Sequence, residues 1–336
     1  MRLRWPWLAL AGLLVTSPLV GAALRHVHEQ AEAWALVRRA ATAHERVSYR
    51  GRAAWRRARW GKAVTVTHDA ESGLTRYDWG RRRAYVRSGP NSRTPDPAAW
   101  CLDLGALEES YRARLEGDTV YRGRTARTVV LRPRHKGRPE LHLTVDTETS
   151  LPLEVASLRR NGELYRTAAF RELEIGSQEV RRRRSPSWLG RSVAEDALEE
   201  EAGFPPLKPA YLPPGFRCIK RRVSEWAAPH IRLLFTDGIT AFELSQEAVL
   251  TPAQMHTNLT RRVGRERASR MMGHILQRYR RALIRSGGDG AVCRRSRGST
   301  HRTYRLRLGD LDVTLTARGD LAAEETERVL RSLRAR

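Results

Sequence analysis

Lysine is nearly absent from this sequence, which has only Lys62, Lys136, Lys208 and Lys220 among 62 basic residues. Acidic residues are too few to balance the arginines, so the formal net charge is +25. Such an excess is typical of a GC-rich genome, or it attracts an acidic partner, nucleic acid or an anionic lipid headgroup. Because the arginines are spread over the whole chain, and no zinc-finger, helix-turn-helix or RNP motif occurs, we predict no specific nucleic-acid binding.

Motifs of catalysis are missing as well. The sequence has no GxSxG elbow, no P-loop, no HExxH and no GxGxxG before a predicted helix. His26, His28 and Glu29 are metal-ligand types, but a chain terminus close to them would hold a metal poorly. The adjacent carboxylates Glu108 and Glu109 would point apart on a helix. The sequence therefore predicts a non-enzymatic protein with no catalytic residues, no metal and no cofactor.

Cysteine is scarce, and no CxxC pair occurs, so neither a redox motif nor a zinc site is predicted. Cys218 and Cys293 both lie in the second half of the chain and form a candidate disulfide in an oxidising compartment. Cys101 would then be a lone thiol. Three free, buried cysteines are the alternative interpretation.

Only one long apolar run is present, and it lies at the start of the chain. Arg2 and Arg4 precede the apolar residues Leu8–Val15, Pro18 interrupts the run, and small residues follow at 20–23. This order is typical of a secretory signal peptide, so residues 1–23 are predicted to direct the protein to the periplasm and to be removed. An uncleaved inner-membrane anchor is the alternative.

The hydrophobic period changes from helical to alternating near residue 47. Residues 31–45 predict an amphipathic helix, and Val47–Ile175 predicts sequential antiparallel strands, with a turn at Asn161-Gly162. The predicted fold class is α+β, with a strongly curved antiparallel sheet, a half-barrel, wrapping helices within residues 27–176. We expect its concave apolar face to form a ligand cavity. The residues predicted to line this cavity are Tyr49, Trp55, Val64, Val66, Leu141, Leu143, Val145 and Leu153.

A second, smaller α+β domain is predicted at residues 207–336, after a charged linker at 177–206. Asp237-Gly238 predicts a tight turn between two of its strands. Residues 252–285 predict a long basic helix or a pair of helices, and Asp320 predicts the cap of a final helix.

Each half of the chain contains its own ordered series of short motifs. Those of the first half are Tyr49-Arg50-Gly51, Tyr121-Arg122-Gly123, Leu141–Asp146, Ser150–Leu153 and Asn161-Gly162. Those of the second half are Leu212–Phe216, Leu234–Gly238, Phe242 and Gly309-Asp310. The first series resembles the sheet of LolA-like domains, and both series together resemble the periplasmic sigma-E factor regulatory proteins of the RseB/MucB type. Plain LolA carriers lack the second domain.

The resemblance implies a binding protein of envelope stress signalling. In that family the protein binds the periplasmic part of a membrane-spanning anti-sigma factor and senses lipid or lipoprotein ligands, and such a protein is expected at the periphery of the inner membrane. The first domain resembles the sensor and the second the partner-binding domain. The positions that the resemblance assigns to partner binding are Phe216, Phe235, Asp237, Gly238 and Phe242. A LolA-like lipoprotein or lipid carrier of the cell envelope is the alternative function.

Overall fold

The computed structural model describes residues 18–57, 60–80, 84–88, 96–159, 162–180, 190–224, 228–273, 292–296, 299–308 and 311–335. The chain divides into two compact units. The first contains residues 1–100 and 111–182, and the second contains residues 101–110 and 183–336. Residues 101–110 thus belong to the second unit, although the first unit surrounds them in the sequence. Residues 1–17, most of the predicted signal peptide, lie outside the described residues.

The first unit combines one long helix with a nine-stranded antiparallel sheet. Helix α1 spans Pro18–Thr42 and is followed by a 3-10 turn at Ala43–Glu45. A second 3-10 turn lies at Pro97–Ala99. The strands are β1 Tyr49–Arg57, β2 Trp60–Asp69, β3 Leu74–Asp78, β4 Ala84–Ser88, β5 Tyr111–Tyr121, β6 Arg124–Pro133, β7 Glu140–Asp146, β8 Pro152–Leu158 and β9 Leu164–Ile175.

The strand order is β4-β3-β2-β1-β9-β8-β7-β6-β5. Every neighbour is therefore also a sequence neighbour, except that β1 pairs with β9 at the centre. Strands β4 and β5 form the two edges of the described sheet, so the described strands do not close into a barrel. Alternation sets the faces: Leu141, Leu143 and Val145 of β7 are buried, whereas His142 and Thr144 between them are partly exposed. The predicted fold class, α+β with a large antiparallel sheet, is confirmed.

Helix α1 covers part of this sheet with an apolar stripe. Ala33, Leu36, Val37 and Ala40 recur at helical spacing and are all buried. The helix contacts β5, and Glu32 on its surface pairs with Arg127 of β6 at 2.7 Å. The helix predicted at residues 31–45 is thus present, and it begins well before residue 31. Within the described residues, no helix combines the length and the apolar character needed to cross a membrane.

The segment from Trp100 to Arg114 contains one short helix and the start of a strand. Helix α2 spans Leu104–Ser110, and strand β5 begins at the next residue. In β5, Tyr111 and Ala113 are buried and Arg112 is exposed, which is a strand period. Cross-strand pairing with β6 therefore overrides the local helical preference of this segment.

The second unit contains a seven-stranded antiparallel sheet in the order β10-β12-β13-β14-β17-β16-β15, and a separate pair β11-β18. Its helices after α2 are α3 Leu198–Ala202, α4 Pro252–Val263 and α5 Ala323–Arg331. Its strands are β10 Arg191–Ser192, β11 Leu207–Pro209, β12 Arg217–Ser224, β13 His230–Thr236, β14 Ala241–Ala248, β15 Val292–Ser296, β16 Ser299–Leu308, β17 Leu311–Gly319 and β18 Leu333–Ala335.

Part of the predicted linker is folded into the second unit. Leu198 and Ala202 of α3, together with Phe204, are buried in the core of this unit. Strand β10 pairs with β12, and Glu195 binds both Lys208 and Arg221 at 2.6–2.7 Å. The segment has the composition of a charged linker, yet Leu198, Ala202 and Phe204 enter the core of the second unit. The four consecutive arginines at 181–184 lie outside the described residues.

The basic segment predicted as helical from residue 252 begins with a well-capped helix. Thr251 and Gln254 form a capping box at the start of α4, and Gly264, with a φ of +80°, ends the helix. Residues 265–273 are helical again, and residues 274–285 lie outside the described residues. The predicted cap of the last helix is wrong: α5 begins at Ala323 with Ala322 as its N-cap, three positions after Asp320.

Candidate functional site

The residues predicted to line a ligand cavity lie inside the first unit. Tyr49, Val66, Leu141, Leu143 and Val145 have no accessible surface. Val64 and Leu153 have 2% and 1%, and Trp55 is partly exposed. A side chain with no accessible surface touches neither solvent nor a void of water size. The expectation of an open apolar face is therefore wrong at Tyr49, Val64, Val66, Leu141, Leu143 and Val145, because the interior is packed there.

A small pocket does open beside this core, at the hairpin that joins β5 to β6. Its volume is about 260 Å³. It is lined by Tyr121, Arg122, Arg124, Leu153, Phe170, Arg171, Glu172 and Leu173. Of the residues predicted to line a cavity, only Leu153 is among them. Three guanidinium groups and one carboxylate surround an apolar floor, so the pocket suits a small group that carries negative charge.

The hairpin tip is fixed over strand β9 by two hydrogen bonds. The Tyr121 hydroxyl donates to the backbone oxygen of Phe170 at 3.1 Å. The Arg122 guanidinium donates to the backbone oxygen of Arg171 at 3.2 Å. Arg122 has a φ of +51°, in the left-handed region, which turns the chain tightly before Gly123. The register of β1 against β9 shifts at Arg52/Ala53, opposite Arg171, and this bulge brings Arg171 to the pocket.

Arg124 is already held by a buried carboxylate of the first unit. Its Nε lies 2.5 Å from Asp146 Oδ2, and its Nη2 lies 3.4 Å from Glu148. Burial alone would raise the pKa of Asp146, but hydrogen bonds from Arg124 and Thr149 outweigh burial and lower that pKa. Arg124 is thus partly neutralised, whereas Arg122 and Arg171 are exposed. Those two arginines supply most of the positive charge available to a bound anion.

A polar cluster lies in the interior of the first unit, apart from this pocket. Asp96 accepts hydrogen bonds from the hydroxyls of Tyr49 at 2.8 Å and Tyr77 at 3.4 Å, and from the Ala98 N–H at 3.0 Å. His68 contacts Thr75 at 2.8 Å and the backbone oxygen of His44 at 2.5 Å. Burial raises the pKa of Asp96 and lowers the pKa of His68. The cluster satisfies buried polar groups and ties Pro97–Ala99 to the sheet.

The five residues assigned to partner binding by the resemblance are all buried in the second unit. Phe235 stacks on Phe242 with ring centroids 4.8 Å apart, and Phe216 packs against Phe242 at 5.6 Å. Asp237 has no accessible surface, and its Oδ1 accepts the N–H groups of Ile239 and Thr240. In the folded chain these residues build the core and its tight turn, and direct contact of their side chains with a partner would require this core to open.

Helix α2 and its preceding residues cover that turn. The Leu102 N–H donates to the Gly238 oxygen at 2.8 Å, and Ser110 Oγ lies 3.4 Å from the Gly215 oxygen. Arg217 binds Asp103 in an ion pair and reaches Glu109 at 3.5 Å. The sequence offers no signal for this arrangement, because the segment at 101–110 and the turn at 237–238 lie far apart in the chain.

The candidate disulfide between Cys218 and Cys293 is not formed. Cys218 is a free thiol on β12, and Cys293 lies in β15, whose side chains lie outside the description. Five strand spacings separate β12 from β15 in the sheet order. At about 4.8 Å per spacing they lie about 24 Å apart, and a disulfide requires Cα atoms within about 7 Å. Cys101 is also free, and burial raises its pKa to about 12.

Three comparisons with known proteins agree with one another. Residues 71–189 match the family model of the MucB/RseB N-terminal domain. The sigma factor AlgU regulatory protein MucB of Pseudomonas aeruginosa is 26% identical over 182 aligned residues. That alignment covers 48% of this chain and 53% of the relative, so the chain matches about half the length of that protein.

The fold is shared with solved structures over most of the chain. A structure of the Pseudomonas aeruginosa MucA/MucB complex has a TM-score of 0.57 and 21% identity, and it covers 90% of this chain and 99% of the solved one. A crystal structure of MucB has a TM-score of 0.55 and 22% identity, with 91% and 98% covered. The chain is therefore similar to the RseB/MucB proteins in the domain matched at residues 71–189 and in its fold.

Proposed function

We propose that this protein binds the periplasmic part of a membrane-anchored anti-sigma factor and thereby regulates a sigma factor. One observation carries the proposal: the fold match with MucB covers 90% of the chain, and MucB has been solved in complex with MucA and with MucA(peri). A curated relative is itself named a sigma factor regulatory protein. Neither the sequence nor the described structure offers a catalytic constellation that competes with this role.

We infer that the partner surface lies outside the aromatic core of the second unit. Phe216, Phe235 and Phe242 are packed against one another, so their exposure would cost the free energy of burial of three aromatic side chains, roughly 6 kcal/mol. Their role in this proposal is to hold the sheet whose outer surface meets the partner.

The ligand-sensing part of the proposal concerns the small pocket beside β9. Its volume of about 260 Å³ is below the range of roughly 300–1,000 Å³ that is usual for small-molecule sites. It therefore suits the charged headgroup of a lipid or lipoprotein ligand, with Arg122 and Arg171 as the binding cations. Acyl chains would enter the first unit only if its packed core opened. This closed interior favours a sensor over a LolA-like carrier.

We further propose that residues 1–23 direct export, and that the protein works in the periplasm at the periphery of the inner membrane. The charged start, the apolar run and the small residues at 20–23 support export. A periplasmic location is also the one in which a membrane anti-sigma factor would meet the protein.

The proposal is tested by calorimetry with the purified protein and the periplasmic part of an anti-sigma factor from the same genome. We expect a specific complex with a dissociation constant of about 1 µM or tighter. Absence of binding at concentrations about 100-fold higher would overturn the regulatory function. Arg122→Glu with Arg171→Glu should leave the complex intact and abolish its response to an anionic lipid. Loss of both together would show that the pocket belongs to the partner surface instead.

A further inference from the structure

Helix α4 and the helical residues 265–273 form a basic module on the second unit. Arg261, Arg265, Arg267 and Arg270 of this module are exposed. Residues 252–273 contain five arginines against the single carboxylate of Glu266, which gives the module a charge of +4. Glu266 pairs with Arg270 at 3.4 Å. Within the described part of the chain, no carboxylate lies at ion-pair distance from Arg261, Arg265 or Arg267.

The apolar side chains of the two helical segments pack against each other. Met255 and Leu259 of α4 pack with Ala268 and Met272 in a cluster separate from the main core of the second unit. Leu250 borders both that core and this cluster. The two helical segments therefore hold each other in place and turn their arginines outward. No large apolar side chain among residues 252–273 is left exposed to insert into hydrocarbon or to anchor a protein partner.

We propose that this module docks on the anionic phospholipid surface of a bilayer. Arginine can anchor a protein partner, but a stable protein interface also needs a well-packed, desolvated centre, and the module exposes no large apolar side chain to form one. Single-stranded nucleic acid requires aromatic platforms for its bases, and residues 251–273 contain no Phe, Tyr or Trp. An anionic bilayer requires only positive charge close to its surface, and guanidinium groups bind phosphate oxygens in pairs.

The docking is electrostatic and peripheral. Each basic residue near an anionic leaflet adds affinity, and the effect falls off within a Debye length, so binding should weaken steeply with salt. Membrane contact through this module is independent of the proposed partner complex, because it uses neither the aromatic core nor the pocket at the β5–β6 hairpin. Its failure would leave the anti-sigma factor proposal untouched.

Co-sedimentation of the exported, purified protein with vesicles tests the proposal. Vesicles of neutral phosphatidylcholine are compared with vesicles that contain about 30% phosphatidylglycerol. The neutral vesicles report any binding by the apolar N-terminal residues, because that binding does not depend on lipid charge. The module variant is R261Q/R265Q/R267Q/R270Q. The control variant, R39Q/R50Q/R56Q/R112Q, removes four exposed arginines of the first unit and lowers the net charge equally.

We expect the module variant to lose at least about 100-fold in affinity for anionic vesicles, and the control variant less than about threefold. The pairs R261Q/R265Q and R267Q/R270Q should each lose about tenfold, so the result does not depend on one variant folding. Calorimetry with the anti-sigma fragment should give wild-type affinity for each variant. Equal losses in module and control variants, or equal binding to neutral vesicles, would overturn the proposal. A module variant that loses affinity for duplex DNA but not for vesicles would also overturn it.

Discussion

Gly238 lies directly against Leu107, so that a Cβ added at Gly238 would sit 2.7 Å from the Leu107 Cα. Gly238 also has a φ of +102°, which L side chains rarely adopt. The tight turn between β13 and β14 and the helix α2 that covers it are thus complementary at the level of the backbone.

Substitution Gly238→Ala should therefore destabilise the second unit more than a positive φ alone explains. Gly203 also has a positive φ, +72°, but an added Cβ there would have no neighbour within 4 Å. We expect Gly203→Ala to cost about 1 kcal/mol and Gly238→Ala about 3 kcal/mol. Urea unfolding of both variants measures the difference. Equal costs would mean that α2 does not constrain this turn.

The Tyr49–Asp96 hydrogen bond should stabilise the first unit in a pH-dependent way. Burial raises the pKa of Asp96, so the carboxyl group as a whole favours the folded state at low pH, and this contribution is lost as pH rises through the raised pKa. The Tyr49 hydrogen bond opposes that shift, because it stabilises the ionised carboxylate, and the bond itself therefore contributes more at high pH. Tyr49→Phe removes a donor to a buried carboxylate and should cost about 2 kcal/mol, with a larger cost at pH 8 than at pH 4. Denaturant titrations at both pH values measure this. Asp96→Asn should be less sensitive to pH than the wild type over the same range.

His230 should make the second unit sensitive to acid. Burial, with a smaller effect of Arg232, lowers its pKa to about 4. A lowered pKa in the folded state means that the stabilising contribution is present above about pH 6.5 and is lost as pH falls toward 4. The free energy of unfolding should drop by roughly 2 kcal/mol between pH 7 and pH 5 through this residue.

The His230→Gln variant should lack that drop. Its cross-strand neighbour Glu247 has a pKa raised by burial, so its titration acts in the opposite direction. Comparing the parent and the His230→Gln variant, each with Glu247→Gln added, separates the titration of His230 from that of Glu247. Identical pH profiles for the His230→Gln variant and its parent would contradict the partly buried, neutral state of His230.

The cysteines should behave as three thiols. Alkylation in denaturant without a reductant is expected to add three groups to the intact mass. In the native protein, Cys101 should remain unlabelled, because it is buried and its pKa is raised to about 12. Intact-mass spectrometry before and after reduction tests whether all three cysteines are free thiols. A gain of two hydrogens on reduction would show a disulfide.

The hydrophobic period of the sequence predicted most strands of the first unit. It did not predict which faces are covered, because contacts between distant segments determine that. The alternation at Leu141, Leu143 and Val145 predicted both the strand and its buried face, because each residue there reports its own environment. Whether that face stays open depends on what packs against it, and alternation does not report what covers a sheet. The same holds for Phe235 and Asp237, whose motif is visible although its burial under α2 is not.

The segment at 177–206 was predicted as a linker from its composition, and part of this prediction failed for a related reason. Glu199 and Glu200 of α3 are exposed, and they dominate the composition. Leu198 and Phe204 are only two side chains, yet they enter the core of the second unit. A linker and an amphipathic surface turn differ by a few apolar positions, and only packing shows which of them is present.

The polypeptide passes from one unit to the other at residues 100–101, 110–111 and 182–183. Neither unit is consequently a contiguous cassette that recombination could exchange by a single cut between them. A fragment that begins at Arg183, where the second unit resumes, would lack the ten residues at 101–110 that cover the Gly238 turn. The two units must therefore be inherited and expressed as one gene product, and separating them requires those ten residues to be supplied in trans or grafted onto the second unit.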